Sequence, residues 1–338
     1  MTKGFKRSLA ARSSLEGSWK SPLWLSDDSP ESDVVLSTRV RVMRNLQGFP
    51  FPHKASPDQL LEVARRINAV ASFIEPKLVP IKFLSFRERD SLVSSRLISP
   101  EFLWQEPGRV VYLDEARSIS VMVNEEDHLR LQVLLGGWQL DQAEETMKVL
   151  LRSFQNLDFC KLERFGWLAA SPSNAGFGIR HSAMVHLIGL AHSGKIASVL
   201  QAIQGQCLSA RGAFGESSRA IGAFVQISDT SNDLSLFSGA CEYLKQEERS
   251  ARQAIDPKTV QTLVENAFQF IQTHSAMTLS DALRTLAYLR LGIHSHQQVT
   301  SIQSRKIDEM IARIEMGDMD SKSAAEQRAK MLKKALSL

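Results

Sequence analysis

Four short segments of the chain set arginine or carboxylate beside glycine or strand-forming residues. That combination can hold a polyanion while a second charged group reacts with it. Ser37-Thr38-Arg39-Val40-Arg41 reads as a strand, on which Arg39 and Arg41 point the same way and present two forked guanidinium groups. Asn124-Glu125-Glu126-Asp127-His128-Leu129-Arg130 follows an apolar run over 120–123. Consecutive acidic residues are costly to hold together unless a cation or a cationic substrate lies among them. Ser171-Pro172-Ser173-Asn174-Ala175-Gly176-Phe177-Gly178-Ile179-Arg180 suits a loop that brings backbone N–H groups close to a ligand, with Arg180 entering a helix. Arg211-Gly212-Ala213-Phe214-Gly215-Glu216 spaces an arginine and a glutamate across two glycines. Singly, each is also what a mobile surface loop or a pair of solvated arginines looks like.

Taken together they describe one chemistry. Arg39, Arg41, Arg130, Arg180 and Arg211 supply a phosphate clamp in a sequence that has no Walker A lysine. Phosphoryl transfer asks for charge neutralisation and in-line positioning more than for covalent chemistry. Glu126 and Glu216 supply two carboxylates for a cationic acceptor. A guanidinium keeps its proton at neutral pH, so two carboxylates can grip its N–H groups, aim one nitrogen and take up the proton as the new bond forms.

The elements that must carry these segments are legible in outline. Alternating β-branched residues over 33–46 predict a strand, and Ser56-Pro57-Asp58 opens a helix with apolar spacing through Val70. Strand-like runs at 78–83, 109–113, 118–123 and 129–134 are separated by gaps short enough for an antiparallel sheet. Segments 141–157 and 181–204 read as amphipathic helices, which puts His186 and His192 on one helix as packing residues, and 220–227 reads as a further strand. Beyond about Ser238 helical periodicity takes over, with apolar faces through Val260 to Ile271, after a Ser280 cap, and through Ile307 to Ile314; Met310 and Met316 fit there as core filler. The expected organisation is a basic flexible tail over 1–23, an α+β catalytic domain with an antiparallel sheet flanked by helices over 24–245, and a small all-helical domain over 250–338.

Composition narrows the function classes. The 338 residues carry 41 basic and 37 acidic side chains, too even a balance for a typical nucleic-acid binder. Three scattered cysteines, Cys160, Cys207 and Cys241, support neither a disulfide framework nor a zinc site, and suit a reducing, cytoplasmic setting. No apolar run reaches the length of a membrane span, and the basic N-terminus lacks the apolar core of a secretory signal.

The runs S-T-R-V-R, N-E-E-D-H-L-R, P-S-N-x-G-x-G-x-R and R-G-x-x-G-E, in this order, resemble the phosphagen (guanidino) kinases, and in particular the bacterial McsB-type protein arginine kinases. Leu97-Ile98-Ser99-Pro100 and the helix containing Gln246-Glu247-Glu248-Arg249-Ser250-Ala251-Arg252 add to the likeness, which covers residues 31–255 well and the helical tail faintly. The resemblance implies a phosphagen-kinase-like catalytic domain and transfer of the γ-phosphoryl of ATP to protein arginine side chains. It implies ATP contacts from Ser37, Thr38, Arg39, Val40, Arg41, Arg130, Arg180, His181, Ser182, Ala183, Met184, Arg211, Gly212, Ala213, Phe214, Gly215 and Glu216, with Glu126 and Glu216 catalytic. Mg²⁺ would be held by the phosphates and water, with Glu125 and Asp127 as outer partners, and no protein metal site is expected. Implied partners are protein substrates, a zinc-binding activator, a heat-shock repressor, the Clp protease machinery and a second copy of the chain; nucleic acid and membrane are not expected partners. The helical N-terminal domain of the animal kinases is missing, which favours a protein over a small guanidino acceptor.

The chain departs from the pattern at three places. Ser171 stands where the family has a cysteine near the guanidinium. Arg96 stands where a nucleotide-contacting histidine is usual. Ala324-Ala325-Glu326-Gln327-Arg328-Ala329 keeps only the last two residues of a phosphoarginine-reading R-D-x-x-R-A motif. These departures keep open a nucleotide-binding adaptor without activity, and beside it a kinase of small guanidino compounds.

Overall fold

The computed structural model describes residues 22–26, 28–71, 77–80, 84–104, 106–204, 208–213, 220–229, 231–295, 302–315 and 321–337. Residues 1–21 of the expected basic tail, Cys207, Phe214, Gly215, Glu216 and Met316 therefore lie outside the described residues. The chain divides into two compact units. Unit 1 comprises Met1–Leu23, Arg41–Val133 and Glu145–Gly178, and unit 2 comprises Trp24–Val40, Leu134–Glu144 and Ile179–Leu338.

In unit 1, helix α1 (Pro57–Val70) begins as its sequence predicts: Ser56 accepts from the Gln59 N–H while the Gln59 side chain returns to the Ser56 N–H, and proline occupies the first turn. Helix α2 (Phe86–Ser94) starts on the same reciprocal cap, made by Ser85 and Glu88. Strands β2 (Lys77–Pro80), β3 (Val110–Leu113), β4 (Ile119–Val123) and β5 (Leu129–Gly136) pair antiparallel in sequence order. Leu92, Leu97, Ile98, Phe102, Val111, Leu113 and Met122 close a core cluster against them. A two-stranded hairpin, β6 (Lys161–Leu162) and β7 (Gly166–Trp167), completes this unit. Strand β1 (Val35–Arg44), β5 and helix α3 (Leu140–Ser153) each begin in one unit and end in the other.

Unit 2 corrects part of the expected secondary structure. Residues 181–204 do not form one helix: β8 (Ile179–His186) is a strand, followed by α4 (Ile188–His192) and α5 (Ile196–Gln204). Arg180 therefore lies on a strand, and His186 and His192 do not share a helix. Ala183, Met184, Val185 and Leu187 are buried on alternating faces because both are covered, which weakens the period-2 signal a half-buried strand would show. Strand β10 (Phe224–Asp229) pairs antiparallel with both β8 and β9 (Leu208–Gly212). His181, Ala183, Val185, Val225 and Ile227 turn to one face, where Ala183, Val185, Val225 and Ile227 pack with Phe237 and Leu244 of α6 (Leu234–Gln253).

Helices α7 (Pro257–Thr273), α8 (Leu279–Ile293), α9 (Ser304–Arg313) and α10 (Lys322–Leu336) follow. Thr278, rather than Ser280, caps α8 by accepting from the Asp281 N–H. These helices share one apolar cluster with Trp24, Leu36, Met184 and Phe224, so they sit within unit 2. Arginines tie the cluster's polar edge. Arg249 grips Asp33 with two hydrogen bonds of 2.8 and 2.7 Å and also reaches Glu31. Arg252 donates to Glu248, which itself accepts from the N–H groups of Gly189 and Leu190. Arg290, fully buried, donates to Asp308 and to the carbonyls of Asp33 and Ser32. Arg328 is likewise buried, donating to the carbonyl of Ile314, so the retained Arg-Ala of the tail serves packing inside this bundle.

Candidate active site

The acidic segment of unit 1 is the turn that joins β4 to β5. Asn124 sits at φ +55, a region asparagine tolerates better than most side chains, and its amide donates to the carbonyls of Leu60 and Gly108. Backbone bonds Asn124 N–H to His128 O and Glu125 N–H to Asp127 O close the turn. Its three carboxylates then take different roles. Glu125 is buried and accepts from Arg130 Nη1 at 2.6 Å; burial alone would raise its carboxyl, but the Arg130 charge prevails and holds it below the ordinary value. Asp127 is 1% exposed, and its Oδ1 accepts from Asn45 Nδ2 at 2.6 Å and from the Ala170 N–H at 2.7 Å. Burial pushes the Asp127 carboxyl up. Behind it His128 Nδ1 accepts from the Leu46 N–H, and burial pushes this imidazole down to about 4, so it stays neutral as a packing element.

Glu126 is the exposed member of the trio. Among the described residues no hydrogen bond or ion pair is recorded to its carboxylate. Partial burial and the neighbouring charges of Asp127 and Glu125 push its carboxyl above the usual 4.5. A carboxylate held outward, unspent and more basic than normal can accept an N–H of a guanidinium and then its proton.

The same clamp brings Ser171 to this turn. Asn45 Nδ2 also donates to the Leu168 carbonyl, so Asn45 and Asp127 together pin the loop 168–171 beside the acidic residues. The Ser171 hydroxyl lies 2.9 Å from that of Ser173. Arg96, at φ +60 just beyond α2, and Arg41 on β1 belong to this unit as well; the Arg96 carbonyl accepts from Gln132 Nε2. Asn45 and Ala170 were not singled out from the sequence, because an asparagine after a strand and a loop amide carry no chemical signature.

In unit 2 the predicted nucleotide residues fall on one sheet face and its reverse. Strand register sets Ser182 opposite Ser228, Met184 opposite Gln226, and Gln226 opposite Arg211, so Arg180, Ser182, Gln226, Ser228 and Arg211 share a face. Arg39 joins it by donating to Ser182 Oγ at 3.2 Å and to Gln226 Oε1 at 2.8 Å. Three guanidinium groups, Arg39, Arg180 and Arg211, are thus held among hydroxyls and an amide, a set suited to a polyphosphate. Gln226 and Ser228 are additions that only the strand register reveals.

The remaining predicted contacts are placed otherwise. His181 is fully buried on the reverse face, its ring nitrogens 2.6 Å from Glu144 Oε1 and 3.4 Å from Asp229 Oδ2, and Ala183 packs beside it. Thr38 is buried, donating to the Gly137 carbonyl and accepting from the Gln139 N–H, while Ser37 and Val40 are buried on the same strand. These side chains position the sheet. Gly212 ends β9 and Ala213 follows it, while Glu216 lies outside the described residues.

Comparison with known proteins agrees with this assignment. Residues 62–236 match the family described as ATP:guanido phosphotransferase, C-terminal catalytic domain. The chain is 36% identical to a protein-arginine kinase of Halothermothrix orenii over 80% of its own length and 81% of the relative's. It is 33% identical to that of Pelotomaculum thermopropionicum over 86% of each chain. Among solved structures, lombricine kinase superposes with a TM-score of 0.58 at 20% identity, covering 75% of this chain and 80% of the other, which speaks to the fold alone. An acidic turn with one unspent carboxylate, an arginine-bearing sheet face and relatives matched over four-fifths of their length make this chain a member of the ATP:guanido phosphotransferase family, in the branch that contains the protein-arginine kinases.

Proposed function

We propose that the chain transfers the γ-phosphoryl of ATP to arginine side chains of proteins in the cytoplasm. The observation that carries this reading is Glu126: exposed, without a partner among the described residues, and raised in pKa beside two carboxylates that are already committed. Glu126 receives the guanidinium, orients it and accepts its proton, with Glu216 as the second carboxylate. The face bearing Arg39, Arg180 and Arg211 takes the nucleotide phosphates; Arg41, Arg96 and Arg130 are assigned to ATP by the family resemblance. Mg²⁺ would be held by those phosphates and water; Glu125 is engaged by Arg130, and Asp127 Oδ1 by Asn45 and Ala170. When bound, the metal neutralises phosphate charge. The same reading takes in a zinc-binding activator, delivery to a Clp protease and a homodimer.

A second reading, a nucleotide-binding adaptor, is favoured by one observation: the Ser171 hydroxyl stands where a thiolate would polarise the guanidinium. One assay separates the readings. The purified protein is incubated with Mg-ATP and either a casein-like protein or free arginine, and acid-labile phosphoarginine is sought by mass spectrometry. Phosphoarginine on the protein supports the proposal; phosphorylation of free arginine alone indicates a small-molecule kinase. ATP binding without transfer to either acceptor indicates the adaptor.

A further inference from the structure

Three large apolar side chains of unit 1 stand in water on one small structure: Leu162 at 49% exposure, Phe165 at 64% and Phe177 at 58%. Isolated exposed apolar residues are ordinary, whereas a group of them on one supersecondary element marks a contact surface. The backbone beneath them is firmly built. Strands β6 and β7 pair Leu162 with Gly166, and Trp167 and Gly176 exchange two backbone bonds of 2.8 and 2.9 Å. Gly166, at φ +74, leaves no room for a side chain, since a Cβ would lie 2.3 Å from the Gly176 carbonyl oxygen. Gly178 is equally constrained: a Cβ there would lie 2.4 Å from Arg44 Nη1, which donates to the Gly178 carbonyl. Trp167 is covered by the Arg44 guanidinium at 4.2 Å and by Lys161 Nζ at 5.0 Å. The fold thus half-covers the tryptophan and leaves the two phenylalanines outward.

This structure is continuous with the acceptor residues. The Trp167–Gly176 bridge closes the loop that contains Ser171, and that loop is fastened through Leu168 and Ala170 to Asn45 and Asp127, next to Glu126. Charge is laid out to match. Glu126 answers a guanidinium, while Lys161 and Arg164 border the apolar group, the latter 6.0 Å over the Phe165 ring.

We infer that Leu162, Phe165 and Phe177 form a docking platform for the polypeptide around the target arginine. They select acceptor segments that carry an apolar residue near that arginine and an acidic residue beyond it. The inference rests on the proposed function and adds the acceptor's sequence context to it. Free arginine fills the Glu126 position but spans no part of the platform.

The test measures binding and transfer separately. Two labelled peptides of equal length, each with one arginine, are titrated by fluorescence anisotropy; one is flanked by leucine and aspartate, the other by glycine and serine. The parent is expected to bind the first roughly tenfold more tightly, the scale of a useful aromatic contact. The double variant Phe165→Ser/Phe177→Ser should bind both alike, with an unchanged melting temperature because both side chains are exposed. No preference in the parent, or a preference that survives the double substitution, overturns the platform. Phosphoarginine formation in the same samples reports on the kinase reading independently. Preference without transfer keeps the platform and sinks the kinase, and transfer without preference does the reverse.

Discussion

The acidic turn of unit 1 and the arginine cluster of unit 2 are made from the same side chains and do opposite things. Around Asp33, each arginine has its carboxylate: Arg249 with Asp33 and Glu31, Arg252 with Glu248, Arg290 with Asp308. Each of the three is matched, and the cluster serves to anchor helices. In the turn 124–128, Glu125 is paired and the buried Asp127 clamps the loop through Oδ1, but Glu126 is left outward with its proton affinity raised. What separates a structural charge cluster from a reactive one is the unspent member, and that is a property of pairing rather than of residue type.

The largest effect that would break this comparison is on turnover. Glu126→Gln should lower it by roughly 10²–10⁴-fold, the range for a positioned acid–base group, with ATP affinity preserved. Glu216→Gln is expected to behave alike. Because ionised Glu126 sits in an unfavourable field, its loss should leave the denaturation midpoint at pH 7 unchanged or slightly raised. Near-normal rates in both variants would remove the acceptor grip.

Next come the paired charges. Glu248→Ala strands Arg252 and the N–H groups of Gly189 and Leu190, all inside the fold, and should cost about 3–5 kcal/mol in urea denaturation, as breaking a buried pair does. Asp33 sharpens the point through pH. Burial would raise its carboxyl, but Arg249 outweighs burial and holds it below the usual 3.8. Its contribution is therefore present above that value and lost as pH falls through the lower, folded value. Asp33→Asn should flatten the acid limb of stability without moving the acid limb of activity. The activity limb belongs to Glu126, and in the parent it should lie above pH 4.5, because the raised carboxyl must ionise before it can accept a proton.

Arg211 and Arg130 divide the two behaviours more finely. Truncating one arm of a desolvated phosphate contact costs about 2–5 kcal/mol, so either alanine variant should bind ATP more weakly by calorimetry. Arg211 is exposed, and its loss should spare stability, whereas Arg130→Ala also leaves Glu125 buried without its cation and should lower the melting temperature. Lysine at either position should restore only part of the affinity.

The fold and site were legible to different depths. Helix α1 is announced by Ser56, Pro57 and Asp58, and β3 to β5 by short strand-like runs with short gaps between them, because local signals there agree with the final structure. Strand β8 reads as helix in sequence because both its faces are covered, which weakens the alternation that distinguishes strand from helix. Glu126, Arg39 and Arg211 are legible as motif residues with expected roles, but the partners around them are not. Nothing local says that Asp127 is spent on Ala170, that Thr38 holds the Gly137 carbonyl, or that His181 points to Glu144. Those facts depend on partners 43, 99 and 37 residues away in the chain. Arg328 shows the same limit from the other side: a motif remnant in sequence is a packing arginine in the fold.

The smallest expected effect lies at Ser171. Ser171→Cys places an ionisable thiol beside the acceptor loop, where it can polarise a bound guanidinium, and should raise kcat/KM for the arginine acceptor about tenfold, equivalent to roughly 1.4 kcal/mol. The gain should grow with pH as the thiol ionises and vanish on alkylation. A cysteine variant no faster at any pH from about 6 to 9, spanning the usual thiol range, would place Ser171 outside the chemistry.

Following the label of γ-³²P-ATP tests the central claim most directly, with the parent and the Glu126→Gln variant compared on one arginine-bearing protein. The account predicts acid-labile label on arginine side chains with the parent, loss of nearly all of it with the variant, and equal ATP affinity in both. Label released only as free phosphate, or carried to arginine equally well by the two proteins, would contradict it.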